Sequence, residues 1–155
     1  MEKLPPVSPS RDVDAILNRV ASIDLSSVTI RYARDSQLDL AVAMLHQREL
    51  CRYLALCTLY PDEDFPMAGK ADAFWHTFLI FTALYRQYCQ KLSGAFIDHD
   101  PMEGSAKVDD LEKYTRFIRY YRQCFKEEPC ATVWPIIESS DYRVIQGAFR
   151  IVSPT

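Results

Sequence analysis

The stretch Asp72-Ala-Phe-Trp75-His76-Thr-Phe-Leu-Ile-Phe-Thr-Ala-Leu-Tyr85-Arg-Gln-Tyr88-Cys89 decides how the chain folds. Set at 100° intervals, Phe74, Phe78, Phe81, Tyr85, Tyr88 and Leu92 form one stripe, alternating by four and three. Trp75, Leu79, Thr82 and Cys89 flank and widen it. The spacing predicts one core helix from about Lys70 to Leu92, ended by Ser93-Gly94, where glycine suits a left-handed helix terminus. Such a helix is roughly 36 Å long.

Other helices are placed around it. Ser10 caps a first helix carrying Val13, Ile16, Leu17 and Val20 and ending near Ser22. Val28-Thr-Ile-Arg-Tyr32 is β-branched but has no evident partner strand, so it reads as a loop or one helical turn. A second helix starts at Asp35 or Ser36, buries Leu38, Val42, Leu45, Leu50, Tyr53, Leu54 and Cys57, and stops at Pro61. The prolines and acids of residues 61–69 predict a loop, as does the run 95–106. A fourth helix from Asp109 or Asp110 turns Leu111, Tyr114, Phe117, Ile118, Tyr121, Cys124 and Phe125 inward. Its Arg116, Arg119 and Arg122 read as a solvated basic ridge. Val133-Trp134-Pro135-Ile136-Ile137 reads as an apolar anchor, and Asp141 to Ile151 as a short helix or an extended tail in which Gly147 disfavours helix. The expectation is an all-α fold: a bundle of four to five helices forming a single domain over 11–155, behind an extended arm over 1–10 with three prolines.

Bulk properties narrow the function. A chain of 155 residues with formal net charge −3 lacks the basic excess expected of nucleic-acid or anionic-membrane binding. Asp39, Arg48, Glu49 and Arg52 interrupt the longest apolar stretch, Leu38 to Tyr60, which excludes a simple membrane span there. Met1 to Ser10 lacks a signal-peptide core. The five cysteines are odd in number and include no C-x-x-C pair, so most of them read as buried thiols in a reducing cytosol rather than disulfides or a cysteine zinc site. A cytoplasmic protein is expected.

Chemistry concentrates at one end of the aromatic segment. Asp72 and His76 are four residues apart and share a helix face nearly opposite the stripe. His99 stands between Asp98 and Asp100, which also suit a turn before Pro101. Two histidines and a carboxylate are a recognised ligand set for zinc or non-haem iron. A continuous helix separates His76 from His99 by most of its length, which argues against a single site. No G-x-S-x-G and no phosphate loop occur, and Cys89 falls on the buried side of its helix.

Gly69-x-x-Asp72-x-x-Trp75-His76-x-x-Leu79-x-x-Thr82-x-x-Tyr85-x-x-Tyr88-Cys89, followed by Gly94-x-Phe96-Ile97-x-His99-x-Pro101, resembles the glycine-rich domain-containing protein-like family. The clear match covers about Pro66 to Pro101, with a weaker continuation to Trp134. The family pattern usually reads Trp-His-x-His, and often His-His before the proline. Phe78 and Asp98 occupy those histidine positions here, and the glycine-rich tail is absent. The resemblance implies a helical intracellular domain and carries no defined activity.

The leading expectation is a non-enzymatic protein that acts through a protein partner, with no catalytic residue, no cofactor, no nucleic acid and no membrane. Asp72, Trp75, His76 and His99 are its ligand or interface candidates, on a surface formed by the start of the aromatic helix and by the loops 61–69 and 95–106. The alternative is a metal-dependent or small-ligand-binding enzyme in which Asp72, His76 and His99 hold zinc or iron.

Overall fold

A computed structural model describes residues 11–101, 108–137 and 145–152. Six helices and three strands lie among them, in the order α1 (Arg11–Val20), α2 (Ser26–Ser36), α3 (Leu40–Leu59), β1 (Pro66–Ala68), α4 (Gly69–Ile80), α5 (Thr82–Ser93), β2 (Phe96–Pro101), α6 (Val108–Phe125) and β3 (Ile145–Val152). The chain is therefore mostly helical but not all-α, and it exceeds the expected four to five helices. The N-terminal arm 1–10, residues 102–106 of the second expected loop and residues 141–144 of the expected tail lie outside the described residues. No helix among the described residues is long and apolar enough to cross a membrane.

The first correction concerns Val28 to Tyr32, which lie within α2. Val28, Thr29, Tyr32 and Ala33 are buried at helical spacing, so packing overrides the poor helix propensity of the β-branched residues. Gln37, in the left-handed conformation, closes α2, and Asp39 precedes α3. The helix expected to begin at Asp35 or Ser36 thus begins at Leu40.

The aromatic helix is divided. Phe81 takes φ −83° and ψ 65°, which ends α4 and starts α5. Its amide donates to Phe78 O (3.0 Å) and its carbonyl accepts from Tyr85 N (2.8 Å), so the helical ladder resumes beyond the pivot. Across the break, Phe78 packs edge-on against Tyr85 (4.9 Å) and Tyr88 (5.4 Å). The predicted stripe is buried at five of its six positions; Phe81 itself is half-buried.

The strands form an antiparallel sheet in the order β1-β3-β2. Parts of both expected loops are therefore strands, and the C-terminal tail supplies the central one. Its register sets His99 opposite Phe149 and Asp100 opposite Ala148, while Met67 of β1 pairs with Gly147 and Ala68 with Ile145. That register shift marks an irregularity beside Gly147. The acids flanking His99 do not form a turn: Asp98 lies in β2 and reaches Arg150 of β3 at 3.1 Å.

Aromatic side chains join these elements. Tyr53 of α3 contacts the rings of Trp75, Phe117, Trp134 and Phe149 at 5.5–6.3 Å, and its hydroxyl donates to Phe65 O at 2.7 Å. Of the expected anchor, Val133 and Trp134 are buried, whereas Ile136 is 84% exposed. Trp134 Nε1 (3.1 Å) and the Tyr121 hydroxyl (2.7 Å) both donate to Glu49 Oε2, and Arg48 lies 2.9 Å from the other oxygen. The fully buried Glu49 is thereby satisfied on both oxygens. Gly69 fits against the same anchor: its φ is +70°, and a Cβ there would lie 2.1 Å from Val133 O.

The basic ridge on α6 is not simply solvated. Arg116 makes two 2.6 Å bonds to Glu63, whose Oε1 also accepts from the Tyr120 hydroxyl (2.7 Å). Arg122 pairs with Glu128 at 2.9 Å. The Arg116 guanidinium holds the Glu63 carboxyl below its ordinary value of about 4.5. A depressed folded-state pKa contributes stability above the unfolded value and loses it as pH falls through the folded value. Urea denaturation should accordingly show Glu63→Gln costing about 1.5–3 kcal/mol at pH 7. The difference from wild type should shrink as pH drops below about 4.5; a pH-independent difference would exclude the ion pair as its source.

Candidate metal centre

Asp72 lies in the first turn of α4 and is 7% exposed. His76, one turn on, keeps 62% of its side chain exposed and places Nε2 3.3 Å from Asp72 Oδ2. His99 comes from β2, with its side chain only 6% exposed, and its Nε2 lies 2.6 Å from Asp72 Oδ1. An ionised carboxylate only accepts, so the bonded Nε2 of His99 carries the proton. The imidazole rings of His76 and His99 meet edge to face at 4.7 Å. Asp72, His76 and His99 each offer one ligand atom, all within 4.8 Å of one another.

The sequence set these histidines apart by assuming one unbroken helix; the break at Phe81 and the sheet remove that separation. β1 runs directly into α4, and β2 lies two strand spacings from β1, roughly 10 Å away. His99 therefore returns to the first turns of α4, beside Asp72.

The His99 ring has further fixed neighbours. Trp75 is fully buried, so it is not an exposed interface residue; its ring lies 4.4 Å from that of His99. Trp75 Nε1 donates to the Tyr85 hydroxyl at 2.9 Å, and that hydroxyl donates to the Ile97 carbonyl in β2. Burial pushes the Tyr85 hydroxyl well above its ordinary pKa, which keeps its proton available for that bond. On another side, a Cβ on Gly147 would lie 3.1 Å from His99 Cε1. Tyr85 and Gly147 escaped the sequence reading as parts of the site. The accessible signal was Gly147 inside the strand-like run Ile145–Val152, since an isolated strand glycine marks a bulge or a close approach.

The two departures from the resembled pattern fall elsewhere. Phe78 is fully buried among Phe74, Tyr85 and Tyr88. Asp98 adjoins His99 in a strand, so its side chain takes the opposite face, where it meets Arg150. A histidine at either position would sit away from the cluster. The third histidine, His46 of α3, faces α2, with Nδ1 2.7 Å from the Tyr32 hydroxyl; burial, then Lys70, lowers its pKa. All five cysteines are free, and burial raises the thiol pKa at Cys51, to about 11, and at Cys57, Cys89 and Cys124.

These features define a helical domain with a small sheet and a carboxylate–histidine–histidine cluster at their junction. The chain belongs to the UCP032817-like family, whose model matches residues 23–135. That span includes Asp72, His76 and His99 and ends before β3. No curated protein and no solved structure matches the chain.

Replacing Tyr85 with Phe removes the acceptor for Trp75 and the donor to Ile97. Thermal and urea denaturation should show a loss of about 1–3 kcal/mol. Unchanged stability would mean that this relay does not secure the wall beside His99.

Proposed function

We propose that Asp72, His76 and His99 bind a divalent transition-metal cation, zinc or ferrous iron, and leave a coordination position open to solvent. The observation carrying this reading is the convergence of three ligand atoms from two separate elements within 4.8 Å. A tetrahedral zinc ion with bonds of 2.0–2.2 Å needs its ligands about 3.4 Å apart. Closing onto an ion thus needs an inward movement of about 1.4 Å at most, which the exposed His76 can supply, and an opening of about 0.8 Å in the 2.6 Å Asp72–His99 contact. Each imidazole would present an unprotonated Nε2 to the cation and keep its remaining ring proton on Nδ1. Three protein ligands with a vacant position are the arrangement that metal-dependent enzymes keep for water or substrate. The domain is accordingly a metal-dependent site for a small ligand. The departures at Phe78 and Asp98 from the glycine-rich domain-containing protein-like pattern lie outside the cluster and remove none of its three ligands. The free cysteines favour a reducing, cytoplasmic setting.

Elemental analysis of protein purified without a polyhistidine tag should find one equivalent of zinc or iron, or uptake of one equivalent of Zn2+ on titration. His99→Ala and Asp72→Asn should each weaken binding by more than 100-fold, and His76→Ala by at least 10-fold. Wild-type protein that takes up no metal at micromolar concentration would sink the reading.

Contact with a protein partner is the second reading. The expected surface near 61–69 is poor in apolar exposure, because Phe65, Met67 and Ala68 are buried. Ile30, Leu40 and Met44, 51–57% exposed, favour a different face, around a depression of about 460 Å³ between α2 and α3. Cross-linking with the intact chain should capture a defined partner, and Ile30→Asp with Met44→Asp should abolish the capture. A clean monomer with no partner would remove this reading.

A further inference from the structure

We propose that Gly147, in the C-terminal strand β3, is a positioning residue for His99 and sets its Nε2 onto the Asp72–His76 site. The inference rests on reading that cluster as a metal centre. Gly147 lies beyond the residues that match the family, on a strand contributing none of the three ligands.

The backbone gives no reason for glycine here. Gly69 and Gly94 have positive φ, whereas Gly147 does not. Alanine normally suits a strand better than glycine, because glycine loses more freedom on folding and packs no side chain. The reason is spatial. A Cβ at Gly147 would lie 3.0 Å from Asp100 O, 3.1 Å from His99 Cε1 and 3.8 Å from His99 Nδ1. Cε1 is bonded to Nε2, so pressure there moves the very nitrogen that meets Asp72. The ring has little room to yield, because Trp75 lies 4.4 Å from it and its own side chain is only 6% exposed.

The strand irregularity places Gly147 at this spot. Gly147 pairs with Met67 of β1 and with Pro101 of β2, and the β1 register shifts in the next step. Bulges of this kind re-aim side chains beside functional sites. The C-terminal strand thus acts as a gauge: its main chain approaches the His99 ring so closely that a Cβ would press it by a few tenths of an ångström.

Gly147→Ala tests this with two readouts. In metal-free, 15N-labelled protein, long-range 1H–15N spectra report the Nε2 of His99. Gly147→Ala should shift that resonance and leave unchanged the ring nitrogens of His46, which is bonded to Tyr32 instead. Zinc competition with a chromogenic chelator should show affinity reduced about 10–100-fold, the range for losing support around a metal ligand. An unshifted Nε2 resonance with unchanged zinc affinity would overturn the proposal. If the wild type binds no zinc, the metal reading fails alone and the metal-free spectra still decide the role of Gly147. Should Gly147→Ala fail to fold, adding His99→Ala removes the ring that the methyl meets. Recovery of folding supports the proposal, and persistent failure overturns it.

Discussion

Tyr53 is the contact on which the arrangement turns. Its ring touches aromatic partners from α4, α6, the 133–137 segment and β3, while its hydroxyl holds the Phe65 carbonyl just before β1. A buried hydroxyl must find a partner, and a ring this size excludes water only if neighbours close around it on every side. Both demands are met at once, so helices and sheet share one core. Trp75 and Phe149 belong to that core, and each also adjoins His99: one by ring contact, the other by strand pairing. The candidate site is therefore an edge of the core rather than an appendage to it.

Asp72 is the polar counterpart of Tyr53. A carboxylate only 7% exposed needs donors, and the fold supplies an imidazole from another element at 2.6 Å. His99 is fixed by packing, while His76 is largely exposed. The cluster thus joins a packed half to an exposed half. Glu49 shows the contrasting solution: its carboxylate is sealed by Tyr121, Trp134 and Arg48, leaving no approach for a ligand.

Particular residues show why some of this was legible in advance. Phe74, Phe78, Tyr85, Tyr88 and Leu92 are buried as their spacing required, because the core face of a helix repeats every turn. The break at Phe81 left no such trace, since neither glycine nor proline stands there. The strands were missed for the same kind of reason. β1 has three residues, and β2 and β3 are joined through a long intervening stretch, so each lacks a neighbouring partner in sequence.

The sequence by itself determined the helical periods, the aromatic core and the Asp72–His76 pair, because contacts three and four residues apart follow from helix geometry alone. It also named His99 as a candidate, by residue type. Only the tertiary structure decided that His99 meets that pair. The meeting requires α4 to end at Phe81 and β2 to pair with a strand near the C-terminus. It also leaves Gly147 where a Cβ would crowd the ring at 3.1 Å. Those constraints join residues tens of positions apart, and no local spacing encodes them.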